Sequence, residues 1–73
     1  MQRYFFEIVE SGRRHTDLNG LLLANDDAAR DYARRIVQEL AESYTHEAND
    51  WVVEIVADQR IIARIRFDGL PVH

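Results

Sequence analysis

The stretch NDDAARDYARRIVQELAESY, residues 25–44, decides how this chain folds. Ala29, Tyr32, Ala33, Ile36, Val37, Leu40, Ala41 and Tyr44 recur at steps of three and four. In a helix that spacing gathers all eight on one broad face, and such a face needs a cover. The opposite side carries Arg30, Asp31, Arg34, Arg35, Gln38, Glu39 and Glu42. Asp31 with Arg35, and Arg35 with Glu39, are spaced for four-apart ion pairs of about 0.2–0.5 kcal/mol each. Asn25 is placed to cap the first turn, and Asp26 and Asp27 lie where the helix dipole favours negative charge.

What covers the helix is read from the flanking segments. Before it, Arg3 to Val9 alternates, with Tyr4, Phe6 and Ile8 on one side and Phe5, Glu7 and Val9 on the other. A Ser11-Gly12 reversal then returns a polar second strand, Arg14 to Asp17, to the edge of the sheet. Asp17-Leu18-Asn19-Gly20 is a further turn, and the three leucines 21–23 lead into the helix, one of them closing the end of the core. After the helix, 45–50 is a short polar loop. Trp51, Val53, Ile55 and Ala57 alternate with Val52, Glu54 and Val56, and Ile61, Ala63, Ile65 and Phe67 alternate with Ile62, Arg64 and Arg66. A three-residue loop, Asp58-Gln59-Arg60, pairs Ala57 with Ile61, Ile55 with Ala63 and Val53 with Ile65, and sets Glu54 beside Arg64 on the outer side. A two-residue loop breaks that parity and is set aside.

The expected fold is α+β, in the order β, β, α, β, β. One amphipathic helix packs on one face of a four-stranded antiparallel sheet, with spatial order 2-1-3-4 and the two most apolar strands central. Residues 1–73 form a single domain with a tail at 69–73.

Composition narrows the function classes. At 73 residues, with 47 % hydrophobic side chains and seven aromatics, the chain supports a core of modest size, for which oligomerisation is a common extra source of stability. There is no Cys, hence no disulfide or thiolate chemistry. No apolar run approaches membrane-spanning length, and Met1-Gln2-Arg3 runs straight into strand-like sequence without a signal-peptide pattern, so the expected compartment is the cytoplasm with no membrane partner. The net charge of −4 opposes general attraction to nucleic acid. All nine basic residues are Arg, which suits bidentate pairing and equally follows from genome base composition.

The opening Arg3-Tyr4-Phe5-Phe6-Glu7, the turn Asp17-Leu18-Asn19-Gly20, the helix start Leu23-Ala24-Asn25 and the following Ala28-Ala29-Arg30 resemble a family of small bacterial proteins known as a domain of unknown function. The resemblance spans nearly the whole chain. Members usually carry Leu-Pro-Asp before the helix and an Asp-x-x-Gly turn between the last strands. Here Ala24 stands for the proline, and Arg60-Ile61 leaves the last turn without glycine. The resemblance implies the fold and brings no activity, cofactor or catalytic residue with it.

With one helix, only one sheet face is covered. On the other, Phe5, Val9, Val52, Val56 and Ile62 surround Glu7, Glu54, Arg64 and Arg66, an apolar patch rimmed by charge of the kind that marks association surfaces. The reading is a protein-interaction module that forms a homodimer or docks another protein there. The plainer reading is a solvated face with a few tolerated β-formers. The same face, with Phe5 as a stacking plane and Arg3, Arg64 and Arg66 near phosphates, is the basis of a single-stranded nucleic-acid alternative, opposed by net acidity and by Glu7 and Glu54. A second alternative, an antitoxin-like partner of a small basic protein, rests on fold analogy alone.

Enzymatic chemistry finds little support. His46-Glu47 with Asp50 lacks a third convergent ligand, and His15, opposite Ile8 on the edge strand, reads as a partly buried hydrogen-bonded histidine. Phosphate-binding glycine loops, nucleophile elbows and paired inward carboxylates are missing. No catalytic, cofactor or metal site is expected.

Overall fold

A computed structural model describes residues 1–44 and 51–67, apart from the side chains at 41, 43 and 44. The elements are β1 (Gln2–Glu10), β2 (Arg13–His15), β3 (Leu21–Leu23), α1 (Asp26–Tyr44), β4 (Val52–Ala57) and β5 (Arg60–Arg66). The fold is α+β, one helix on an antiparallel sheet. Strands run in the order β2-β1-β4-β5, with β3 also paired to β1. The expected four-strand order is thereby kept among its own members. A fifth strand, the leucine segment 21–23, is added.

The helix begins as its residues require. Asn25 Oδ1 accepts from the Ala28 amide at 2.9 Å, its carbonyl accepts from Ala29 at 3.2 Å, and Asp26 and Asp27 occupy the first turn. Ala29, Ala33 and Val37 are buried along the sheet-facing stripe, while Ile36 and Leu40 pack against the core at its margins. Tyr32 lies further round and is 37 % exposed, yet its ring sits 4.9 Å from that of Phe6. The outer ion pairs form at three-residue spacing, Arg30–Asp27 at 3.4 Å and Arg34–Asp31 at 3.1 Å. Asp31 is thus taken by Arg34, three residues on, where the four-residue spacing pointed to Arg35.

The core joins that stripe to Tyr4 and Phe6 of β1, Val53, Ile55 and Ala57 of β4, and Ile65 and Phe67, with Ile8, Leu23 and Trp51 around it. Trp51 stacks edge-on against Phe67 at 5.5 Å, closing one end. The helix lies across β4 and β5, so among the described residues one face of the sheet is covered.

Two corrections concern strand geometry. The first is the missed β3. Its pairs, Gln2 with Leu23 and Tyr4 with Leu21, occupy the first half of the β1 edge, while β2 occupies the second half, Ile8 with His15 and Glu10 with Arg13. Between them the Phe6 amide has no strand partner, and the Asp17 carboxylate accepts its proton at 3.1 Å. The other Asp17 oxygen accepts from the Asn19 and Gly20 amides at 3.1 and 3.0 Å. Gly20 completes the join. It has φ +69°, and a Cβ there would stand 2.9 Å from the Tyr4 carbonyl and from atoms of Arg3 and Phe5.

The second correction is the β4–β5 turn. Val53–Ile65, Glu54–Arg64 and Ile55–Ala63 pair as expected, but the register then shifts to Val56–Ile61 and Ala57–Arg60. The connection is the two-residue turn Asp58-Gln59, both in the left-handed region at φ +52° and +63°. A β-bulge at Ile62 absorbs the extra residue, so parity does not exclude the short loop.

Candidate functional site

The uncovered face is laid out by the strand registers as four cross-strand rows. Arg14, Val9, Val52 and Arg66 form the first, and Glu7, Glu54 and Arg64 the second. Phe5, Val56 and Ile61 form the third, and Arg3 with Leu22 the last. Of the residues expected on this face, Phe5, Glu7, Val9, Val52, Glu54, Val56, Arg64 and Arg66 are brought together. Ile62 is not. The bulge turns it toward the core cluster and leaves Ile61, expected inward, beside Val56 at 44 % exposure.

Glu7 and Glu54 are direct neighbours across β1 and β4, an arrangement that repels unless cations intervene. Two arginines do so. Arg14 donates to Glu7 at 2.9 Å and also to Glu54, and Arg64 Nε donates to Glu54 at 2.9 Å. Their side chains are about half exposed, whereas Glu54 is only 6 % exposed with no helix above it. The long arginine stems serve as its cover. Burial raises the Glu54 pKa, but the hydrogen bonds and positive charge of Arg14 and Arg64 outweigh it, and the carboxyl titrates below the ordinary glutamate range. Arg14 belongs to the polar edge strand expected from the sequence. Its place follows from the Ser11-Gly12 reversal, which pairs Val9 with Arg14 and sets the guanidinium diagonal to Glu7.

Other candidates fall elsewhere. His15 does lie opposite Ile8, but it is exposed and lies 3.4 Å from Glu10, because its short edge strand runs beyond the cover that the helix gives β4 and β5. His46, Glu47 and Asp50 lie outside the described residues. Among the described residues no group of three or more His, Cys, Asp or Glu side chains is placed to hold a metal ion. The buried Tyr4 hydroxyl donates to Asp26 at 2.7 Å; that bond to a carboxylate, with burial, raises its pKa and keeps it protonated. This contact ties β1 to the helix start. Among the described residues no helix is long and apolar enough to cross a membrane.

The class so defined is a small α+β domain with one helix on an antiparallel sheet and a neutralised Glu–Arg cluster at the centre of the uncovered face. The chain belongs to the family described as a domain of unknown function, DUF6894, which matches residues 3–68. No curated protein and no solved structure matches it.

Proposed function

We propose that this domain is a non-enzymatic protein-interaction module, working in the cytoplasm, that self-associates or docks a protein partner through its uncovered sheet face. One observation carries the reading. The helix covers a single face, and the other presents Phe5, Val9, Val52 and Val56 half-buried and Ile61 exposed around a centre in which Glu7, Glu54, Arg14 and Arg64 satisfy one another. Apolar side chains around a paired polar centre suit an association surface, since the polar groups need no new partners when water leaves.

Light scattering across a wide concentration range, combined with Phe5→Asp and Val52→Asp, tests the reading. If the face is the contact, any dimer dissociates to a folded monomer in both variants. An unchanged dimer mass in both would remove this face from the proposal.

A further inference from the structure

We infer that the uncovered sheet face takes an acidic, partly apolar segment of another protein, in preference to a second copy of itself. The inference rests on the reading of this face as an association surface and chooses between the occupants it allows. Its basis is the distribution of charge. The rows of the face hold four arginines, Arg3, Arg14, Arg64 and Arg66, against two glutamates, Glu7 and Glu54, a formal charge of +2. The whole chain carries −4, so everything off this face sums to −6. An acidic molecule has thus gathered its excess of cations on the one sheet face that the helix leaves open.

Among the described residues, two of those cations are satisfied by carboxylates and two are not. Arg14 and Arg64 hold Glu7 and Glu54. Arg66 makes no ion pair among the described residues, and Arg3 donates to the Asn19 carbonyl, a neutral acceptor. They lie in the outermost rows, and the apolar row of Phe5, Val56 and Ile61 falls between the charged centre and Arg3. A partner with carboxylates set beside apolar side chains would pair with Arg66 and Arg3 while covering that row. A two-fold copy of the face would instead bring a +2 surface against a +2 surface, with both glutamates of the face already held by Arg14 and Arg64.

The backbone argues the same way at the open edge. Phe67 donates to the Trp51 carbonyl at 3.0 Å, so the residues that bond inward to β4 are the odd-numbered ones. The amides and carbonyls of Arg64 and Arg66 therefore point to the free edge, and a two-fold pairing of β5 with its twin would set these arginines against each other. Nucleic acid would also answer the positive charge, but Glu7 and Glu54 stand at the centre of the face and Phe5 is its one aromatic.

The test is a titration of the isotope-labelled full chain, followed by amide resonances. The probes are a synthetic helical peptide with Leu and Glu on one side, its Lys-for-Glu counterpart, single-stranded oligothymidylate, and simple dilution. The inference expects the Glu peptide to move the amides of Phe5, Val56 and Arg66, the Lys peptide to leave them in place, and Arg66→Glu to weaken the interaction by about tenfold, with Arg35→Glu on the exposed helix side as a charge-matched control without effect. Equal response to the Glu and Lys peptides, or equal loss in the Arg66 and Arg35 variants, would overturn it. Movement of the same amides on dilution alone would overturn it in favour of the second copy while leaving the face as the association surface. Movement with oligothymidylate but not with the Glu peptide would overturn both readings, as would still amides under every probe.

Discussion

The two faces of this sheet exclude water by different means. On the helix side, Val37 and Ile65 are 5 % and 7 % exposed because a second layer of structure lies over them. On the other side Glu54 is just as hidden, and its cover consists of two half-exposed arginine side chains. The first arrangement draws on apolar area removed from water, about 25 cal/mol per Å2. The second draws on hydrogen bonds to charged groups, about 1.5–3 kcal/mol each at best, less the desolvation of the carboxylate. A single-layer sheet face can thus bury a charge without a hydrophobic lid, but the stabilisation it gains depends on pH, and the apolar residues beside the charge remain available.

The largest expected effect lies on the covered side. Ile55 is fully buried, and Ile55→Ala should cost about 2–5 kcal/mol in a denaturant melt. Val56, its neighbour on β4, points to the uncovered face and is only half-buried, so Val56→Ala should cost about 1 kcal/mol or less. Equal losses would break the comparison, because they would mean that the second face is also packed.

Next in size is the charge cluster. Glu54→Gln keeps the volume but removes the charge that Arg14 and Arg64 share, for an expected cost of about 1–2 kcal/mol, moderated because both arginines reach water. The sign of the pH effect follows from the direction of the shift. The folded-state pKa of Glu54 lies below its unfolded value, so the stability it contributes is present above the ordinary carboxylate range and is lost as pH falls through the folded value. Asp17 behaves alike: burial raises its pKa, and the Gly20, Phe6 and Asn19 amides more than reverse the shift. Stability measured against pH should therefore fall on the acid side in the wild type, less steeply in Glu54→Gln, and least in Glu54→Gln combined with Asp17→Asn. Parallel acid limbs in all three would show that neither carboxylate is held as described.

The covered side was largely legible in the sequence because its elements obey a single period. The helix stripe and the strand alternation led to the right faces for Tyr4, Phe6, Val53, Ile55, Ile65 and Phe67. Three features escaped because their signals are not periodic. Leu21-Leu22-Leu23 has no alternation, and its strand pairing depends on the free first half of the β1 edge. The bulge at Ile62 leaves no mark in a run of β-formers, so the facing of Ile61 and Ile62 was exchanged. Arg14 reads as one more edge charge until the register sets it beside two glutamates. Of the uncovered face, the sequence placed every residue but Ile62 and set Glu54 beside Arg64; it missed the bridging of both glutamates by Arg14, since that needs distances across three strands.

The smallest expected effect tests the bulge, and with it which isoleucine belongs to which face. Asp58 and Gln59 both hold left-handed backbone angles without being glycine. Asp58 has a reason to stay, since Gln2 Nε2 donates to its carboxylate at 2.9 Å and so ties the turn to β1. Gln59 is exposed and makes no such contact among the described residues. A side chain at a left-handed position costs about 1–2 kcal/mol, and the added freedom of glycine in the unfolded chain returns about 0.5–1 of that. Gln59→Gly should therefore stabilise the domain by about 0.5–1 kcal/mol, a rise in Tm of about 2–8 °C for a chain of this size. Arg60→Gly, which would suit a three-residue loop with a left-handed third residue, should instead destabilise it, because Arg60 is already paired with Ala57 in the sheet. If the two outcomes were reversed, the loop would have three residues, Ile61 would turn inward, and Ile62 would take its place beside Val56 on the uncovered face.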